Sequence, residues 1–113
     1  MRMLTTWAAA AVMLACAAHA DEPADLDFGR DCGNYYRQAL DPDVAPKQAD
    51  TYCSCLAGEF AKAGLGEDAL DFFARTYSDD LTTFIHEYPK GDAWMEQSFK
   101  AEPICKAEIG AAK

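Results

Sequence analysis

Two cysteines stand one residue apart, Cys53-Ser54-Cys55, inside a stretch whose apolar residues recur at helical intervals. Ala49, Tyr52, Cys53, Leu56, Phe60 and Ala63 form that stripe. Each residue of an α-helix turns about 100°, so side chains two apart point about 200° apart. A Cys53–Cys55 bond would close a very small ring and distort the helix. Each thiol must then find its partner elsewhere, on opposite sides. A chain with this motif is expected to fold around one helix that is held from two directions.

Which partners exist depends on what the working chain keeps. The sequence has 113 residues and five cysteines. Its first twenty residues carry Arg2, an apolar run from Trp7 to Ala18, and then Ala18-His19-Ala20 before Asp21 and Glu22. This reads as a secretory signal peptide (1–20). The run is too short for a transmembrane helix, which needs about 20 apolar residues. A rival reading takes Met13-Leu14-Ala15-Cys16 as a lipoprotein cleavage box lipidated at Cys16. Leu14 disfavours it, because a small residue is expected there. Cleavage after Ala20 leaves 93 residues and an even set of cysteines, Cys32, Cys53, Cys55 and Cys105. In a chain sent to an oxidising compartment, two disulfides follow. A short, Ala-rich leader points to the periplasm of a Gram-negative cell or to secretion.

The pairing stays open at this level. Cys32 and Cys53 both lie in apolar stripes, which favours Cys32–Cys53 with Cys55–Cys105. An antiparallel hairpin through residues 41–46 places Cys32 level with Cys55, which favours Cys32–Cys55 with Cys53–Cys105. A closed loop of about 20 residues should stabilise by roughly 3 kcal/mol, and one of about 50 by somewhat more.

The rest of the mature chain, a single domain over 21–113, also reads as helical. Asp25 or Asp27 can cap a first helix, whose apolar positions are Phe28, Cys32, Tyr35 and Ala39. It should stop near Leu40, before the turn Asp41-Pro42-Asp43. Pro46 suits the first turn of a second helix, which Gly64 should end. Ala69, Leu70, Phe73 and Tyr77 line a third. Ser78-Asp79-Asp80 breaks the chain or caps a fourth, short helix over Leu81, Phe84, Ile85 and Tyr88. The last segment runs from Ala93 to about Ile109, with Trp94, Met95, Phe99 and Ile104 available for burial. Pro103 should kink or split it. No segment alternates with a period of two, and after residue 20 the only Val and Ile are Val44, Ile85, Ile104 and Ile109. The expected fold is all-α: a small bundle of four to five short helices stapled by two disulfides.

Several chemistries lack their residues. The precursor carries 19 acidic and 10 basic residues, and the mature chain a net charge of −10, so the footprint of a nucleic-acid binder is absent. His86 is the only histidine after cleavage, which leaves a zinc site short of ligands. It reads as a surface or capping residue. No Gly-x-Ser-x-Gly elbow is present. Asp41-Pro42-Asp43 resembles the start of a calcium loop, but Pro46 stands where Gly is needed and Tyr52 where Glu is needed. Glu67, Asp68, Asp71, Asp79 and Asp80 read as solvated helix starts. Paired carboxylates for glycoside hydrolysis would need a cleft that so small a domain rarely supplies. No catalytic residue, cofactor or metal site is assigned.

Adjacent aromatic residues are the less ordinary feature. Tyr35-Tyr36, Phe72-Phe73, Tyr77, Tyr88 and Trp94 exceed what one stripe per helix can bury. Tyr36, Phe72, Tyr88 and Trp94 are the candidate contact surface, since Tyr and Trp are favoured at interfaces. In size, secretion and helical pattern the chain is similar to small periplasmic acid-stress chaperones and helical immunity proteins, a likeness of class with no shared motif. The expected function is non-enzymatic: an acidic helical protein that engages a protein partner, a more basic one on charge grounds, as an inhibitor, immunity protein, chaperone or accessory subunit. The alternative is a thiol-redox or copper-handling protein using Cys53-Ser54-Cys55, with Cys105 or Met95 as a further soft ligand. A small hydrolase is a third possibility that no motif supports.

Overall fold

The computed structural model describes residues 24–111. The leader reading and the lipidation reading at Cys16 fall outside those residues. Five α-helices and two short 3-10 turns make up the described chain, with no strand among the described residues. Helix α1 is Ala24–Tyr36, α2 is Ala49–Lys62, α3 is Glu67–Thr76, α4 is Leu81–Phe84 and α5 is Gly91–Ala111. The 3-10 turns are Pro46–Gln48, leading into α2, and Ile85–Glu87, following α4. Helix α1 packs on α2 and α3, while α2 packs on α5 from its other side.

The stripe on α2 explains this layering. Ala49, Tyr52, Cys53, Leu56 and Phe60 are buried. On α1, Phe28, Cys32 and Tyr36 recur every fourth residue and are buried against them. Phe60 stacks on Phe73 of α3, with ring centroids 4.3 Å apart, and Phe28 meets both edge-on. Each fully buried Phe contributes on the order of 1.5–3 kcal/mol through removal of apolar surface from water.

Helix ends follow the local chemistry with one exception. Gly64 ends α2 in the left-handed region at φ 79°. Its N–H donates to the Ala61 carbonyl, and the Leu65 N–H donates to the Phe60 carbonyl, which satisfies two otherwise unpaired acceptors. Asp80 caps α4 by accepting from the Thr82 N–H at 3.1 Å. The exception is α1, where Asp25 and Asp27 lie inside the helix rather than capping it, and which ends at Tyr36, short of the expected Leu40. Asp41 precedes Pro42 and is disfavoured in the α region, so the chain leaves the helix early through tight turns at residues 37–39. Ala39 takes φ 60° there and is exposed, no longer part of the apolar stripe.

Helix α5 departs further from expectation. It is one continuous helix with Pro103 inside it, neither ended nor split. The missing N–H falls on an exposed turn, where water can solvate the carbonyl left without a donor. Phe99 and Ile104, expected in the core, are 63% and 51% exposed. The buried face of α5 is instead Ala101, Cys105 and Ile109, four residues apart. Small side chains at Ala101 and Cys105 allow α5 to approach α2 closely, and Phe99, two residues before Ala101, points about 200° away from that seam. Trp94 and Met95 are half-buried, packed against the core.

Candidate functional site

The cysteines resolve into two bridges of different surroundings. Cys32–Cys53 joins α1 to α2, and Cys55–Cys105 joins α2 to α5. Helix α2 is thus tied from two opposite sides, as its spacing requires. Cys32, Cys53 and Cys105 are buried, and Cys55 alone of the four is half-exposed. The Glu108 Oε2 lies 3.0 Å from Cys55 Sγ. A bridged sulfur carries no proton, so this is a close oxygen–sulfur approach that places negative charge beside the half-exposed Cys55 sulfur. Among the described residues, no group of three or more His, Cys, Asp or Glu side chains is placed to hold a metal ion.

The four aromatic candidates separate on burial. Phe72 is a correction: at 0% exposure it is core and offers no contact surface. Both members of Phe72-Phe73 are buried because α3 is covered on two sides. Phe73 faces α1 and α2 through Phe28 and Phe60, while Phe72 faces Phe84, Tyr88 and Trp94. Tyr36 is also buried, at 7% exposure, and reaches the surface only as the wall of a groove. Tyr88 is half-buried and held internally. Its hydroxyl donates to Asp71 Oδ2 at 2.8 Å and accepts from Arg75 at 3.4 Å. Arg75 lies over the Phe84 ring at 4.4 Å and also pairs with Glu87 and Asp79. Trp94 is half-buried and lines a shallow groove of about 560 Å³ with Glu67 and Asp68.

A second groove, of about 480 Å³, brings together residues from α1, the following turn, α3 and α5. Tyr35, Tyr36 and Tyr77 supply aromatic walls, Met95 an apolar one, and Asp41 and Glu102 carboxylates. The rings are in mutual contact: Tyr35–Tyr36 centroids are 5.0 Å apart, Tyr35–Tyr77 5.2 Å and Tyr36–Tyr77 5.9 Å. Behind them Tyr52 is fully buried, 4.8 Å from Tyr36. Its hydroxyl has no hydrogen-bond partner among the described residues. Burial pushes the Tyr36 phenol up to about 12, with the Glu102 charge adding to it. Tyr52 and Tyr77 are raised further, by burial first, then by the neighbouring phenols and Glu102. All three hydroxyls therefore stay protonated and neutral at ordinary pH.

The two carboxylates differ. Asp41 accepts from the Asp43 N–H at 2.9 Å and pairs with Lys106 at 3.0 Å. Its carboxyl is held below the usual range: burial opposes this, and the Asp43 N–H and Lys106 outweigh it. The segment that resembled a calcium loop is thus a turn anchored to α5 by Lys106, which also reaches Asp43. Glu102 accepts from Ser98 Oγ at 3.1 Å and has no cation within ion-pair distance among the described residues. Met95, Ser98 and Glu102 lie at i, i+3 and i+7 on α5, one face of the helix. That spacing was the available signal for this wall of the groove. Tyr35 and Tyr77 were legible only as core positions. His86 is exposed on the Ile85–Glu87 turn.

A scan against family models, a search of curated proteins and a search of solved structures each found no match for this chain.

Proposed function

We propose that this is a non-enzymatic binding protein whose acidic surface engages a more basic protein partner. The observation that carries the reading is how its charges are used. No charged residue is buried among the described residues. Arg30, Arg37, Lys62, Arg75, Lys100 and Lys106 each sit against a carboxylate. The cations are thus largely neutralised locally. Glu67, Asp68, Asp92, Glu102 and Glu108 have no ion-pair partner among the described residues. Such a surface speeds encounter with a cationic one and selects against acidic partners. Two disulfides, and the lack of any described helix long and apolar enough to cross a membrane, are compatible with a periplasmic or secreted protein.

The thiol-redox and copper readings draw less support. The two cysteines of Cys53-Ser54-Cys55 belong to different bridges, so neither can resolve a mixed disulfide formed at the other without breaking a second bond. The test is chemical cross-linking of the tagged protein in its native host, with partners identified by mass. A partner with a basic surface is expected, its capture falling as salt rises from about 0.05 to about 0.5 M. Cross-links only to acidic proteins, or capture indifferent to salt, would overturn the reading.

A further inference from the structure

We infer that the tyrosine-lined groove between α1, α3 and α5 receives an arginine side chain presented by a basic protein segment. The inference rests on the basic-partner reading above and gives it a place and a chemistry. Tyr35, Tyr36 and Tyr77 offer ring faces and edges around one opening, and Met95 closes it with a polarisable apolar side chain. The three rings meet edge-on or tilted rather than stacked, and a phenol attracts a cation through the negative face of its ring. Glu102 supplies a full negative charge at the same place, and no described cation neutralises it. Ser98 holds the carboxylate through its hydroxyl, 3.1 Å from Oε2. The protonated phenols of Tyr36 and Tyr77 add oxygens that can accept further hydrogen bonds.

Guanidinium fits this set better than ammonium. It is planar and stacks on aromatic rings. It is weakly hydrated, and its forked donors suit a carboxylate flanked by hydroxyls. At about 480 Å³ the groove lies within the range of small-ligand clefts. Leu40 and Pro42 border it, and Leu40 is 57% exposed. Apolar surface at the mouth is thereby available to the backbone and neighbours of the inserted residue. Asp41 contributes less to recognition, because Lys106 already neutralises it.

The experiment titrates the disulfide-bonded chain 21–113 with capped hexa-arginine and hexa-lysine peptides at low salt, by calorimetry and by NMR of the tyrosine rings. Hexa-arginine should bind several-fold more tightly than hexa-lysine and shift the rings of Tyr35, Tyr36 and Tyr77. Glu102→Gln should weaken it about tenfold, while Glu67→Gln, which removes the same charge from the Trp94 groove, changes it less than twofold. Ser98→Ala, which leaves the charge and frees the carboxylate, should fall between them. Equal losses from Glu102→Gln and Glu67→Gln would overturn the groove and leave the basic-partner reading standing. Equal affinity for the two peptides would overturn the choice of guanidinium. Failure of both peptides to bind would overturn the basic-partner reading as well. Ring shifts with N-acetyl-arginine amide in that last case would leave the groove as a small-cation site alone.

Discussion

The two ends of this molecule are held together by different means. At one end α1, α2 and the C-terminal half of α5 meet through both disulfides. At the other, α3, α4, the Ile85–Glu87 turn and the start of α5 meet through Phe72, Phe84, Tyr88 and Trp94, with Arg75 over Phe84. No cysteine lies in that second region. Between α2 and α5 the difference follows side-chain size. Along the α2–α5 seam the buried residues of α5 are Ala101, Cys105 and Ile109, with no aromatic ring among them. Aromatic side chains bury about 150–250 Å² each and gain further from edge-to-face contact. The Cys55–Cys105 tie stands where no ring is buried on α5, whereas the Cys32–Cys53 tie lies within the ring-rich core of Phe28, Tyr36, Tyr52 and Phe60.

The largest effects should come from the uncrosslinked end. Phe72→Ala leaves a cavity among four rings and should cost about 4 kcal/mol in denaturant unfolding. If Trp94 fluorescence and far-UV circular dichroism then melt at different denaturant concentrations, the two ends are separable units. A single shared transition would join them. Next comes the buried bridge. Replacing Cys32 and Cys53 together by Ala should cost roughly 3 kcal/mol, and the same change at Cys55 and Cys105 somewhat more, if loop closure dominates. The reverse order would show that burial around the sulfurs matters more than the length of chain closed. Under mild dithiothreitol, alkylation and mass mapping should find Cys55 and Cys105 released first, because Cys55 is half-exposed. Early release of Cys32 would break the contrast between the bridges.

Smaller effects concern the turns. Gly64→Ala should cost about 1 kcal/mol, since the left-handed backbone there disfavours a Cβ although the space is open. Ala39→Gly should stabilise by a similar or smaller amount for the same reason reversed. Both are read from thermal melts. Arg75→Met should lower the melting temperature less than Phe72→Ala and perturb Trp94 emission without touching the bridges. The tyrosines add a pH dependence. An unfolded phenol ionises near 10.0, and Tyr36 in the fold near about 12. The unfolded state thus releases its proton first, and stability present below pH 10 should be lost as pH rises through about 12. Absorbance of phenolate against unfolding by circular dichroism checks this. Phenols that titrate while the fold persists would place the cluster in water.

Much of this architecture was legible in residue spacing. The helices, the caps at Gly64 and Asp80, and the two-sided demand of Cys53-Ser54-Cys55 follow from geometry internal to one helix. What was not legible depends on what lies opposite. Whether Cys53 or Cys55 takes Cys32 is settled by which face of α2 meets α1, and the apolar stripe decided it over the hairpin register. Phe72 looked like a rim residue because α3 considered alone has one buried face; α4 and α5 give it a second. Phe99 and Ile104 looked like core because they are large and apolar, but the face of α5 that meets α2 runs through Ala101, Cys105 and Ile109 and turns both outward. The groove was hidden for the same reason. Tyr35 and Glu102 come from two helices and Tyr77 from the turn that ends a third, and nothing local to any one of them announces the other two.

The paired bridges also bear on how the chain matures. Among the described residues the cysteines bond in the order in which they occur, Cys32 with Cys53 and Cys55 with Cys105. A polypeptide emerging from its N-terminus and oxidised as it appears would meet the correct partners in turn. The one close competitor is Cys55 in place of Cys53. It is removed as soon as the intervening turn of α2 forms, because the helix carries Cys55 to the far side. Rapid winding of that single segment therefore acts as its own proofreader, and the oxidised protein should reach its native pairing from an oxidant alone, without a reshuffling enzyme.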